Sequence, residues 1–293
     1  MGDVSVVGAG AMGSALVEVL AARGAQVTVW NRTRSKAEAL SSPRIDVARS
    51  VAEALTSSPI TIMSVSDHET TRTLVEIAGV DLGGRTVAST SPADPDQAKV
   101  FATVVAAAGG RCLDLAIPRS DGQVRAGAGV FLVSGHRAAY DANRDLLEGI
   151  GTATYIDDTP GAAYLSGLAI VLGYLPLAVG LLQGLRICRD NDVPLDWFER
   201  TALDFYPFQI RSLLHQATGR IDPSAGDEAT IDAMAVWAEE LAASLRAMGL
   251  DPAMFDSLQR LFAAASDDGH GGADWVSIAE IQPPDSDPAA SSP

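Results

Sequence analysis

Lysine is almost missing from these 293 residues: Lys36 and Lys99 are the only two, and none follows position 99. A mechanism that needs a lysine amine in the second half of the chain is thereby excluded. Cysteine is nearly as scarce. Cys112 and Cys188 stand far apart with no metal-type pairing, which leaves two reduced thiols and points to the cytoplasm. The four histidines, His68, His136, His215 and His270, are scattered, so no metal site is expected. A formal charge of −16 argues against nucleic acid as a partner of the bulk surface. No uninterrupted apolar run reaches the roughly 18 residues of a membrane span. The richest stretch, residues 165–185, is interrupted by Ser166, four glycines, Pro176 and Gln183, and reads as a buried helix without membrane contact. Met1-Gly2-Asp3 leads into the first strand without a basic segment, so no secretory leader is expected.

What is present divides into two halves. Up to about residue 157, short apolar runs alternate with amphipathic stretches, the pattern of a parallel α/β sheet. Strands are expected at 4–7, 26–30, 60–64, 86–89, 112–117, 130–133 and 154–156. Helices are expected at 13–23, 34–40, 50–55, 69–77, 94–108 and 138–150. From Pro160 the strand pattern disappears. Pro160-Gly161 opens a long apolar helix to about Asn191, kinked at Pro176, and further helices follow at 195–217, 228–248 and 252–265. Asp251-Pro252 reads as the start of the last of these, and Tyr206-Pro207-Phe208 as a break within the first. The expected fold is an α/β Rossmann domain with a mostly parallel, doubly wound sheet, joined by a long interdomain helix to an all-α C-terminal domain. Its boundaries are 1–158, 159–191 and 192–282, with a disordered tail of Pro, Ser, Asp and Ala at 283–293.

The chemistry begins in the first turn. Val4-Ser5-Val6-Val7 runs into Gly8-Ala9-Gly10-Ala11-Met12-Gly13 and then into a helix, the G-x-G-x-x-G motif in its required context. Gly8 makes the tight turn, Gly10 lets the backbone approach a pyrophosphate, and Gly13 lets helix and strand pack closely. The helix N-terminus adds unpaired N–H groups for the anion. The second strand then selects the nucleotide. An Asp or Glu at its end would accept hydrogen bonds from the ribose hydroxyls of NAD. Here it ends in Asn31-Arg32-Thr33-Arg34-Ser35-Lys36, with three cations and two hydroxyls, donors suited to a 2′-phosphate. NADPH is the expected cofactor. Val65 and Ser66, after the third expected strand, are further expected cofactor contacts.

These strings resemble a known group. G-A-G-A-M-G followed by V-T-V-W-N-R-T-R-S-K-A is similar to the β-hydroxyacid dehydrogenase and 6-phosphogluconate dehydrogenase-like superfamily, and within it to the imine reductases. The resemblance continues through Gly84–Val87 with Thr90-Ser91-Pro92, Leu113–Pro118, Leu132–Gly135, Asp227–Thr230, Gly249–Pro252 and Gly269-His270-Gly271. It implies NADPH-dependent reduction of an imine or iminium to an amine, and a homodimer whose helical domains interlock. It also implies cofactor contacts from Thr90 and Ser91, in the loop that flanks the nicotinamide in that family, and a site between one subunit's cofactor and the partner's helices. Hydroxyacid dehydrogenases of the superfamily use a lysine on the interdomain helix, which this chain lacks.

Imine reductases carry Asp or Tyr on that helix, and by motif position the corresponding residue here is Gly167, which cannot donate a proton. Tyr164 and Tyr174 on the same helix, or Asp232 beyond it, are the candidate donors; an iminium, already cationic, needs none. Gly167, Trp237, Arg119 and Pro118 are the expected substrate-lining positions. Two other activities stay open: a carbonyl reductase of a small aldehyde or ketoacid with a relocated tyrosine acid, and a catalytically silent NADPH-binding protein.

Overall fold

The computed structural model describes residues 2–219 and 229–281. The expected tail at 283–293, the Asp227-Glu228 pair and the expected helix start at 228 lie outside them. The chain divides into two compact units, Met1–Tyr174 and Leu175–Pro293.

The first unit is an eight-stranded sheet in the order β3-β2-β1-β4-β5-β6-β7-β8. Its strands are β1 (Val4–Val7), β2 (Val27–Trp30), β3 (Ile45–Val47), β4 (Ile60–Met63), β5 (Thr86–Ser89), β6 (Arg111–Ala116), β7 (Gly129–Gly135) and β8 (Gly151–Asp157). Every neighbouring pair is parallel except β6 with β7. The helices between them are α1 (Ala11–Ala22), α2 (Arg34–Glu38), α3 (Val51–Thr56), α4 (His68–Ala78), α5 (Pro95–Ala107), α6 (Asp121–Arg125) and α7 (Arg137–Glu148). Chain order moves outward from β1 to β2 and β3, then reverses to β4. That reversal leaves a crevice beyond the C-terminal ends of β1 and β4, where open α/β sheets bind ligands.

Alternation along the strands builds two cores. Val6, Ile62 and Ala88 face α1 and α7 with Leu16, Leu20, Tyr140 and Leu147. Val7, Met63 and Val87 face α3, α4 and α5 with Leu55, Val75 and Phe101. Two elements of this unit were absent from the sequence reading. β3 is three residues long, too short to show a period. α6 is five residues long, but Ser120 and Gln123 cap it reciprocally, a signature present in the sequence.

α8 (Ala162–Asp190) spans the division between the units. The second unit adds α9 (Leu195–Ala217), α10 (Ile231–Ala247) and α11 (Ala253–Ala265). The expected break at Tyr206-Pro207-Phe208 is absent: α9 continues through Pro207, as α8 does through Pro176. Each proline removes one backbone donor, and the long helical runs on either side keep each helix a single element.

The expectation that residues 165–185 are buried is also corrected. Only 6% of the apolar 18-residue window of α8 is buried, and Leu172, Leu175 and Leu182 are each at least 60% exposed. α8 is long and apolar enough to cross a membrane by length and composition. A buried helix needs a neighbour, and among the described residues no element covers these side chains. The core of the second unit is small, with Ile231, Phe262 and Ala265 buried at the meeting of α10 and α11.

Close approach at the β1 turn is the tightest constraint in the first unit. Gly8 has φ +109°, and a Cβ there would lie 2.1 Å from the carbonyl oxygen of Ser64; a Cβ at Gly13 would lie 2.0 Å from the carbonyl oxygen of Gly8. Gly13→Ala must push α1 off the turn. Thermal denaturation of this variant is expected to show a drop of several degrees or more, with cofactor binding lost in the same preparation.

Candidate functional site

The β1 turn opens onto a crevice of about 540 Å³ lined by Gly8, Gly10, Asn31, Arg32, Thr33, Lys36, Val65 and Ser66 among others. The side-chain oxygen of Asn31 accepts from the backbone N–H of Ala9 at 2.9 Å, and its amide nitrogen donates to the carbonyl of Thr33 at 2.9 Å. One side chain thus ties the glycine turn to the β2 end. A Cβ on Gly10 would meet nothing within 4 Å, so the turn faces open space where a pyrophosphate could approach. Ala11, Met12 and Gly13 form the first turn of α1, with no acidic residue there to oppose an anion.

The three cations of the β2 loop separate. Arg34 pairs with Glu38 at 2.8 Å. Arg32 and Lys36 have no ion-pair partner among the described residues and line the crevice, leaving their donors available to a phosphate. The residues present fit a dinucleotide with a phosphorylated ribose.

A second cavity, about 250 Å³, lies beside the loop after β5. It is lined by Thr90, Ser91, Pro92, residues 114–118, Tyr164, Gly167, Leu168 and Val171. The Thr90 hydroxyl donates to the carbonyl of Met63 at 3.2 Å, and that of Ser91 to the carbonyl of Val65 at 3.0 Å. Both hydroxyls therefore anchor the β5 loop to the end of β4. Of the expected substrate-side residues of the first unit, Pro118, Tyr164 and Gly167 meet at this cavity. Arg119 is exposed and outside its lining, and Tyr174 is 62% exposed.

The expected residues of the second unit sit on α10. Asp232 lies in the first turn, accepts from the hydroxyl of Ser266, and donates its backbone N–H to Gly271. Trp237 is exposed.

Gly167 has a packing role of its own. A Cβ there would come within 3.0 Å of the Ala116 Cβ, so the missing side chain is what lets α8 lie close on β6.

The residue the sequence reading missed is Asp114. It sits on β6 between Leu113 and Leu115 and is 7% exposed. The Ser134 hydroxyl donates to its Oδ2 at 3.5 Å, and the backbone N–H of Tyr164 at 3.4 Å. Ser134 Oγ in turn accepts from the backbone N–H of Ala163 at 3.0 Å. Two side chains from the sheet thus satisfy donors of the first turn of α8. Burial raises the Asp114 carboxyl to about 6, opposed by the hydrogen bonds from Tyr164, Ser134 and Gly161. The available signal was an acidic residue inside an apolar strand run.

A raised carboxyl pKa favours the fold most below the unfolded value and loses that advantage as pH rises through about 6. The parent is therefore expected to lose on the order of 2–3 kcal/mol relative to Asp114→Asn between pH 4 and pH 7.5. Paired denaturant titrations across that range read the difference; a constant offset between the two proteins contradicts the assignment.

Residues 3–158 match the model of the NAD binding domain of 6-phosphogluconate dehydrogenase. Residues 159–283 match the C-terminal domain of the NADPH-dependent reductive aminase-like proteins. An NADPH-dependent reductive aminase of Aspergillus oryzae is 24% identical over 94% of this chain and 96% of its own length. A reductive aminase from Aspergillus terreus, solved in complex with NADPH4, cyclohexanone and allyl amine, is 25% identical with a TM-score of 0.83. That comparison covers 95% of this chain and 98% of the other. An imine reductase from Pseudomonas sp. shares the fold at a TM-score of 0.84 and 24% identity, again over 95% and 98% of the two chains.

Proposed function

The chain belongs to the family built on the 6-phosphogluconate dehydrogenase NAD-binding domain, in its imine reductase and reductive aminase branch, and we propose that it reduces a C=N bond to an amine with NADPH. The observation that carries this reading is the 250 Å³ cavity beside Thr90 and Ser91, whose walls are largely apolar and contain no lysine. Lysine-dependent alcohol chemistry has no residue to work with, whereas an imine needs only hydride and, when neutral, one proton. NADPH supplies the hydride when bound.

The chain's own residues divide the remaining work. Gly8, Gly10 and the start of α1 hold the pyrophosphate, with Ala9, Ala11, Met12 and Gly13 shaping the turn. Arg32 and Lys36, with Thr33, hold the 2′-phosphate; Asn31 keeps their loop against the turn, and Arg34 supports it through Glu38. Val65, Ser66, Thr90 and Ser91 border the nicotinamide half. Pro118, Gly167, Leu168 and Val171 exclude water around the substrate, and Tyr164 helps to position it. Of the earlier donor candidates only Tyr164 lines this cavity, where it takes a positioning role. Tyr174 and Trp237 stand exposed, Asp232 is engaged with Ser266, and Arg119 lies outside the cavity lining.

The domains are proposed as a cofactor domain at 1–158, the connecting helix at 159–191 and a helical domain at 192–282. The protein acts in the cytoplasm, where its two free thiols stay reduced.

Cofactor oxidation against a panel of pyrrolines and dihydroisoquinolines tests this. Turnover is expected with NADPH and much less with NADH. Removing both free cations in Arg32→Ala/Lys36→Ala should lower the NADPH:NADH ratio of kcat/KM by about 10- to 100-fold, mainly through KM. Inertness across all ring sizes refutes C=N reduction.

The exposed faces of α8 and α9 supply the partner. Leu172, Leu175 and Leu182 on α8, with Leu203, Phe208 and Leu214 on α9, form apolar surface beyond what a lone chain leaves in water. A second copy covers them in a homodimer. Sedimentation should give a two-chain particle, and Leu172→Glu/Leu182→Glu should shift it toward one chain. A monomeric parent at micromolar concentration overturns the assembly.

A further inference from the structure

A third cavity, about 690 Å³, lies on the first unit between α5, the start of β6 and the start of α7. Its lining includes the exposed side chains of Arg111, Arg137, Asp141 and Asp158, so solvent reaches it. Inside, the walls turn apolar at Ala98 and Phe101. The residues lining it and those lining the 250 Å³ cavity beside Gly167 have one member in common, Asp114. A single buried carboxyl therefore stands in the wall between a solvent-reached space and the proposed substrate space.

We propose that Asp114 is the proton donor to the substrate nitrogen, supplying from β6 the acid that Gly167 on α8 cannot carry. The inference rests on the C=N reading above. As the imine carbon accepts hydride, the C=N π pair moves to nitrogen, and nitrogen takes the carboxyl proton of Asp114. The carboxylate left behind regains a proton from water in the larger cavity, and the neutral amine leaves.

Several features of the site support this. Asp114 has no cationic partner within salt-bridge distance among the described residues, so no fixed charge holds it ionised. Burial favours its neutral form, and a carboxyl near 6 can both hold and release a proton close to neutrality. The hydrogen bonds from Tyr164 N–H and Ser134 converge on Oδ2 and stabilise the carboxylate formed after transfer. Gly167 and Ala116 bring α8 close to the strand that carries the acid.

The test compares a neutral cyclic imine with its N-methyl iminium, which needs no proton. In Asp114→Asn, turnover of the imine should fall by about 100-fold or more, while the iminium stays within about 3-fold. Ser134→Ala, which removes one hydrogen bond from Oδ2 but keeps the acid, should lower the imine-to-iminium ratio far less than Asp114→Asn does. Infrared difference spectroscopy of the cofactor-free protein gives an independent readout. A protonated carboxyl band should titrate near pH 6 and be missing from Asp114→Asn. Equal losses on imine and iminium, or no band that the variant removes, overturn the proposal. A parent inert toward both substrates refutes the C=N reading instead, and the donor role with it.

Discussion

The first turn of α8 is seated on the sheet by side chains from other strands. Backbone donors at a helix start are costly to bury without partners. Ser134 on β7 and Asp114 on β6 accept from Ala163 and Tyr164, and this contact sets where the helix begins. One turn further on, Gly167 lets the same helix rest against Ala116. The proposed substrate cavity occupies the space left between that helix and the β5 loop. Its shape, its single buried carboxyl and its tyrosine all follow from how α8 meets β6.

That seating carries a chemical consequence. A carboxylate that only capped a helix would do best in a polar, solvated position with its pKa depressed. Asp114 is instead placed where desolvation outweighs its three hydrogen bonds, and its pKa rises to about 6. The cost in stability appears near neutrality, where a group able to exchange a proton is useful to a reductase.

The remainder of α8 presents the opposite situation. Its apolar character predicted burial, yet the described chain leaves most of it uncovered. Composition reports that a surface avoids water without saying what covers it. The same limit applies to Tyr174 and Trp237, chosen from their positions and found exposed.

What the sequence by itself determined is what depends on neighbours a few residues apart. The alternation of strands and helices, the glycine turn, the cationic β2 end and the absence of lysine were all legible, because turn geometry and amphipathic period are local. From them came the Rossmann sheet, the all-α second half and NADPH. The three-residue β3 escaped because so short a segment has no period to read. Tertiary structure alone decided that Gly167 faces Ala116 and that Asp114 stands between two cavities. Burial and desolvation arise from groups far apart in the chain. Asp114 meets Tyr164 across 50 residues, and no local pattern records that encounter.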